Sequence, residues 1–201
     1  VSDLSFTDIA LALNLLLEDF DTEEELDDDI RQQARVVMAS KLATIVAHSD
    51  TVHDLRLEWS DFDSESFEPV HDLIMARPMT HISARFADIG NSTPAQRSFP
   101  TEWLSIPSLT ELTCARTEMD ETSMNKFLNA LGRNTSLTHL TLGEAFSLET
   151  AEVLKEALAL NTTLEELVMT ISFRLESEPV GLPDVFDAVC GSHLHSFKLI
   201  N

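Results

Sequence analysis

A carboxylate or an imidazole recurs along this 201-residue chain at Asp54, His81, Glu111, His139 and Glu166, in steps of 27, 30, 28 and 27 residues. Groups of these two types do chemistry when they lie side by side. Nearby negative charge favours the protonated imidazole, so such a row would share protons and change charge between about pH 5 and 7. Patterns for covalent catalysis do not accompany it. The chain has no G-x-S-x-G phrase and, with 5 glycines in all, no glycine-rich loop to cradle a phosphate. His193-x-His195 is the close histidine pair. On a strand both rings would point to one side, but the sequence offers no third ligand, so no metal site is expected. Cys114 falls in an apolar slot and reads as a core residue rather than a nucleophile. The expectation is a protein that is not an enzyme and carries neither cofactor nor metal.

Charge narrows the partners. With 35 acidic and 13 basic residues the formal net charge is −22, which repels nucleic-acid phosphate and anionic lipid, so neither is expected as a partner. The run EDFDTEEELDDD (18–29) holds nine carboxylates in twelve residues. It lacks the glycine and the final glutamate of a calcium loop, and two readings stand: a solvated linker, or a patch for a basic partner or loosely held divalent cations. No apolar stretch approaches the ~18–20 residues that span a bilayer, and no basic, apolar, small-residue leader opens the chain. Two cysteines, Cys114 and Cys190, are too few for a disulfide framework. Both read as reduced core thiols, which favours an intracellular, cytoplasmic setting. Asn91, Asn134 and Asn161 each begin an N-x-[ST] sequon. In an intracellular chain they would carry no sugar.

A recurring row needs recurring elements to position it. The phrase L-x-x-L-x-L, with other apolar residues allowed, appears as VHDLRL (52–57), MTHISA (79–84), LTELTC (109–114), LTHLTL (137–142), LEELVM (164–169) and LHSFKL (194–199). Alternation within each phrase predicts short strands at about 53–57, 80–84, 110–114, 138–142, 165–169 and 195–199. Between phrases the period becomes helical. Met124, Phe127, Leu128 and Leu131 form one stripe, with Asp120 as N-cap and Gly132 as the C-terminal stop. Ala151, Leu154, Ala157 and Leu158 form the next, whereas three prolines in TPAQRSFPTEWLSIP predict a broken or short helix. A strand and a helix per ~28 residues cannot bury an apolar face alone, and stacking the units solves this. Residues 1–50 lie outside the period. They carry two amphipathic helical patterns, the first opening on Ser5-x-x-Asp8, and read as a cap for the first repeat or as a separate docking helix.

The N-[T]-[ST]-L-x-x-L-x-[LM] phrase at 134–142 and 161–169 resembles the leucine-rich repeat proteins of the ribonuclease-inhibitor-like subfamily. The resemblance spans roughly 51–201 and departs at Glu144 and Ile171, where the family places asparagine after the strand. It implies an α/β leucine-rich-repeat solenoid of five to six repeats over 51–201, a curved parallel sheet inside and helices outside, behind the helical cap of 1–50. It also implies recognition of another protein through the concave sheet, as effector, inhibitor or adaptor, by a chain expected to be monomeric. The alternative is the substrate-recognition or sensor domain of a larger enzyme or receptor. In each phrase the residues between the apolar positions point away from the core. The candidate binding residues are therefore Asp54, Arg56, Glu58, His81, Arg85, Glu111, Thr113, His139, Thr141, Glu166, Val168 and Lys198. Small residues at the centre, among them Ala115 and Gly143, would make either a shallow trough for a partner or an ordinary polar sheet face.

Overall fold

In ELTCA, HLTLG and ELVMT every second side chain is apolar, and each segment is a five-residue strand with those side chains buried. The computed structural model describes residues 53–60, 71–86, 99–115, 119–143, 148–170 and 182–200. The expectations for 1–50, the acidic run 18–29, Asn91, Glu144 and Ile171 lie outside the described residues. Among the described residues there are six strands: β1 (Asp54–Ser60), β2 (His81–Phe86), β3 (Glu111–Ala115), β4 (His139–Gly143), β5 (Glu166–Thr170) and β6 (Ser196–Ile200). They form one sheet in sequential order with every neighbouring pair parallel. The fold is thus α/β with an open, all-parallel sheet, an arrangement compatible with stacked strand–helix units.

Each strand begins one residue later than the alternation predicts. The reason is a junction at the strand entry. A single carbonyl, that of Thr80, accepts the N–H groups of both Thr110 and Glu111, at 2.9 and 3.1 Å; Thr110 serves Thr138 and His139 in the same way, and Thr138 serves Glu165 and Glu166. From the second unit on, the first residue of each predicted strand is spent on this bifurcated link, and regular pairing starts after it. The hydroxyls of Thr110 and Thr138 add a third bond to the carbonyls of Thr80 and Thr110, at 3.1 and 3.0 Å.

Helices cover one face. Residues 71–75 are helical, followed by α1 (Phe99–Trp103), α2 (Glu121–Leu131), α3 (Leu148–Leu160) and α4 (Leu182–Cys190). Among them α1 is as short as its prolines require. In α2, Asp120 caps the first turn by accepting from Ser123 N at 2.8 Å, and the stripe Met124, Phe127, Leu128, Leu131 is buried. Gly132 does not end α2 by a left-handed turn: its φ is −58°, ordinary for any residue. Its smallness serves packing instead, since a β-carbon there would lie 3.2 Å from Ala157 Cα on α3.

The core runs between sheet and helices, from Leu55 and Ile74 through Trp103, Leu112, Phe127, Leu140 and Leu154 to Leu167 and Met169. Cys114 lies within it. Cys190, expected to be a core thiol, is exposed. Its neighbour Val189 packs against the core, and successive residues on a helix face directions about 100° apart. The inner positions whose side chains are described are buried through β5 but not in β6, where Phe197 is half-buried and Leu199 is exposed.

Asn134 and Asn161 are buried as well. Asn161 donates from Nδ2 to Leu131 O and Asn134 O and accepts at Oδ1 from the N–H groups of Thr163 and Leu164. Asn134 repeats the pattern one unit earlier, reaching Leu104 O and accepting from Ser136 and Leu137. Their amide nitrogens are therefore engaged inside the fold, away from any glycan.

Candidate functional site: the open face of the sheet

Register decides which outward residues meet. Asp54 lies opposite His81, His81 opposite Glu111, Glu111 opposite His139, and His139 opposite Glu166. The predicted lane is therefore continuous across β1 to β5, and β6 adds Ser196 beside Glu166. Thr113, Thr141, Val168 and Lys198 form the second lane in the same register. Arg56, Glu58 and Arg85 hold the expected strand positions, Arg56 opposite Ser83 and Glu58 opposite Arg85.

Contact within the first lane is less uniform than its register. His81 bridges two carboxylates, with Nδ1 at 3.1 Å from Asp54 Oδ1 and Nε2 at 2.5 Å from Glu111 Oε2. A neutral ring can donate through one nitrogen only, so donation to both carboxylates at once requires both ring nitrogens to carry protons. Asp54 is also held by the Thr80 hydroxyl at 2.9 Å. At the other end Lys198 Nζ lies 2.6 Å from Glu166 Oε1. Hydrogen bonding to Lys198 holds the Glu166 carboxyl below its ordinary value against an opposing contribution from burial; the charge of Lys198, and that of His139 when its ring is protonated, lower it further.

His139 stands between these clusters and, among the described residues, ion-pairs with neither. Its Nδ1 lies 2.9 Å from Thr138 Oγ1. That hydroxyl spends its single proton on Thr110 O, so it accepts from the ring, and Nε2 is left as the acceptor of the neutral imidazole. The threonines at 80 and 138 thus orient the lane. A threonine ahead of a lane histidine twice over was the sequence signal for them.

The centre of the face is hollow. Glu111, His139 and Glu166 rim a depression of about 180 Å³ whose other walls are Leu112, Thr113, Leu140, Thr141 and Val168. Gly143 keeps the adjoining strip flat, because a β-carbon there would come within 3.1 Å of Ala115 Cα. By residue type, the candidate binding residues comprise four carboxylates (Asp54, Glu58, Glu111, Glu166) and three cations (Arg56, Arg85, Lys198), a balance of −1 in a chain of −22.

The other candidates do not assemble. His193 and His195 are exposed and precede β6 rather than lying within it, so the strand geometry that would have aligned their rings does not apply. No group of three or more His, Cys, Asp or Glu side chains among the described residues is placed to hold a metal ion. No helix among the described residues is long and apolar enough to cross a membrane. No model of a known protein family matches the chain, and no curated protein matches it.

Proposed function

We propose that the chain is a leucine-rich-repeat solenoid of the ribonuclease-inhibitor-like type and that it recognises another protein through the open, concave face of its sheet. Cofactor-independent recognition, without catalysis, is the proposed activity. The observation that carries this reading is the charge distribution. Interface centres are depleted of charge and rimmed by polar groups. In a strongly acidic chain, the candidate binding residues together come close to neutrality, and at their centre is a depression built from Thr113, Thr141 and Val168. The rim groups Glu111, His139 and Glu166 supply directional bonds around it.

Paired substitutions test the proposal after a binding protein has been captured from the native host cell. Glu111→Ala with His139→Ala should leave the unfolding midpoint nearly unchanged and weaken binding by about tenfold or more. Glu152→Ala with Glu156→Ala, exposed on α3, should change affinity less than about twofold. Equal or greater loss from the α3 pair would move the interface to the helical side and overturn the assignment.

A further inference from the structure

His71 and Trp103 lie on the helical side, away from the proposed interface. His71 belongs to the helical residues 71–75, and Trp103 closes α1 with its side chain fully buried. The indole Nε1–H donates to His71 Nδ1 at 3.2 Å, and His71 Nε2 lies 2.9 Å from Glu102 Oε2. An indole nitrogen can only donate, so Nδ1 must carry its lone pair and the proton of the neutral ring sits on Nε2, directed at the Glu102 carboxylate. The tautomer follows from chemistry alone.

We propose that His71 is a proton-operated clasp between the helical residues 71–75 and α1. A second proton can enter the ring only at Nδ1, the atom that the indole uses. Protonation and the Trp103 bond therefore exclude each other. Among the described residues, the ionisable groups beside it are Glu102, which faces Nε2 from α1, and Asp72, next along the chain. The protonated ring keeps a charge-assisted bond to Glu102, while its new N–H meets the indole N–H head-on. The ring and the indole must turn apart. Histidine ionises in the physiological range, and this ring is mostly enclosed, its side chain 17% exposed, so the change is transmitted to packed neighbours.

The movement has a route. Ser105 N and Oγ bond to Glu102 O, and Ile106 N bonds to Trp103 O, so the turn leading to β3 hangs from the two residues that the clasp holds. Leu104 O, in that turn, accepts from the buried Asn134 amide of the next unit. With five residues, α1 has no stability of its own and takes its position from these contacts.

Nitrogen–proton NMR of the full chain reads the clasp directly, with the Trp103 indole signal assigned against Trp59→Phe. Between pH 8 and pH 5 the indole signal of Trp103 and the ring signal of His71 should move with one midpoint, and exchange protection of the indole proton should fall about tenfold or more. In His71→Gln the indole signal should show no such midpoint. An indole signal that stays fixed while His71 titrates overturns the clasp, as does a His71 ring that takes up no proton above pH 5.

Discussion

Asn161→Ala tests how the units are joined. The native amide lies 2.6 Å from Leu131 O and 3.1 Å from Asn134 O, and its oxygen accepts from Thr163 N at 2.9 Å and Leu164 N at 2.8 Å. Alanine removes these four bonds and leaves two carbonyls and two N–H groups without this partner in a site where Asn161 is 3% exposed. At about 1 kcal/mol net per bond the loss is about 4 kcal/mol, a large share of the roughly 5–15 kcal/mol that stabilises a domain. Asn161→Asp separates the two halves of the side chain. It keeps an acceptor for Thr163 and Leu164 but turns a carboxylate oxygen toward two carbonyl oxygens, so it should lose at least as much as alanine. Thr162→Ala, an exposed neighbour, should stay within about 0.5 kcal/mol. Urea unfolding followed by circular dichroism measures all three, with the denaturant slope as a check that the unfolded state is unchanged. An alanine loss below about 1 kcal/mol at constant slope, or a tolerated aspartate, would refute the claim that the amide links successive units.

Thiol labelling of the native chain should modify Cys190 at once and Cys114 only after denaturation, because the first is exposed and the second buried; equal rates would contradict this. Gly143→Val should destabilise by about 1–3 kcal/mol in the same urea assay, since β3 and β4 must part where a β-carbon would meet Ala115 Cβ at 3.0 Å. Lys198→Ala should raise the Glu166 midpoint in a carboxyl NMR titration, because Lys198 is the main cause of its depression. With the folded value lowered, the stabilisation from Glu166 is present above the unfolded carboxylate value and is lost as pH falls through the folded one. A Glu166 midpoint unmoved by the substitution would count against the ion pair.

The parallel sheet was legible because volume and period constrain its inner positions twice over. Leu112, Leu140 and Leu167 stand in one register and all are buried, as alternation requires. The helix stripe from Met124 to Leu131 was legible for the same reason. Where a residue's job depends on a neighbouring unit, pattern alone misled. Gly132 does stand at the C-terminal cap of α2, as its signature predicts, but its smallness answers to α3, which passes close by, rather than to a left-handed turn. Cys190 sits among apolar neighbours in sequence, yet one step around α4 separates Val189 on the core from Cys190 in solvent. The strand starts shifted by one residue because the bifurcated carbonyl link is a contact between units, invisible within any one phrase.

The outward lane shows why register is easier to read than pairing. Sequence spacing places Asp54, His81, Glu111, His139 and Glu166 in a row, and hydrogen-bonded register confirms the row. Which neighbours bond is a matter of competition. Both His81 and His139 follow a threonine and lie between two carboxylates. His81 takes Asp54 and Glu111; Lys198, from the adjacent strand, takes Glu166. Each carboxylate of the lane then has a cationic partner or one that becomes cationic on protonation, and His139 is left over, steadied by the Thr138 hydroxyl. An ammonium is a permanent charge and an imidazole a conditional one, so Lys198 outcompetes His139 for Glu166 wherever the ring is neutral. The consequence is spatial. The one lane histidine without an ion-pair partner among the described residues stands on the rim of the depression at the centre of the sheet, where its Nε2 is available to an incoming group.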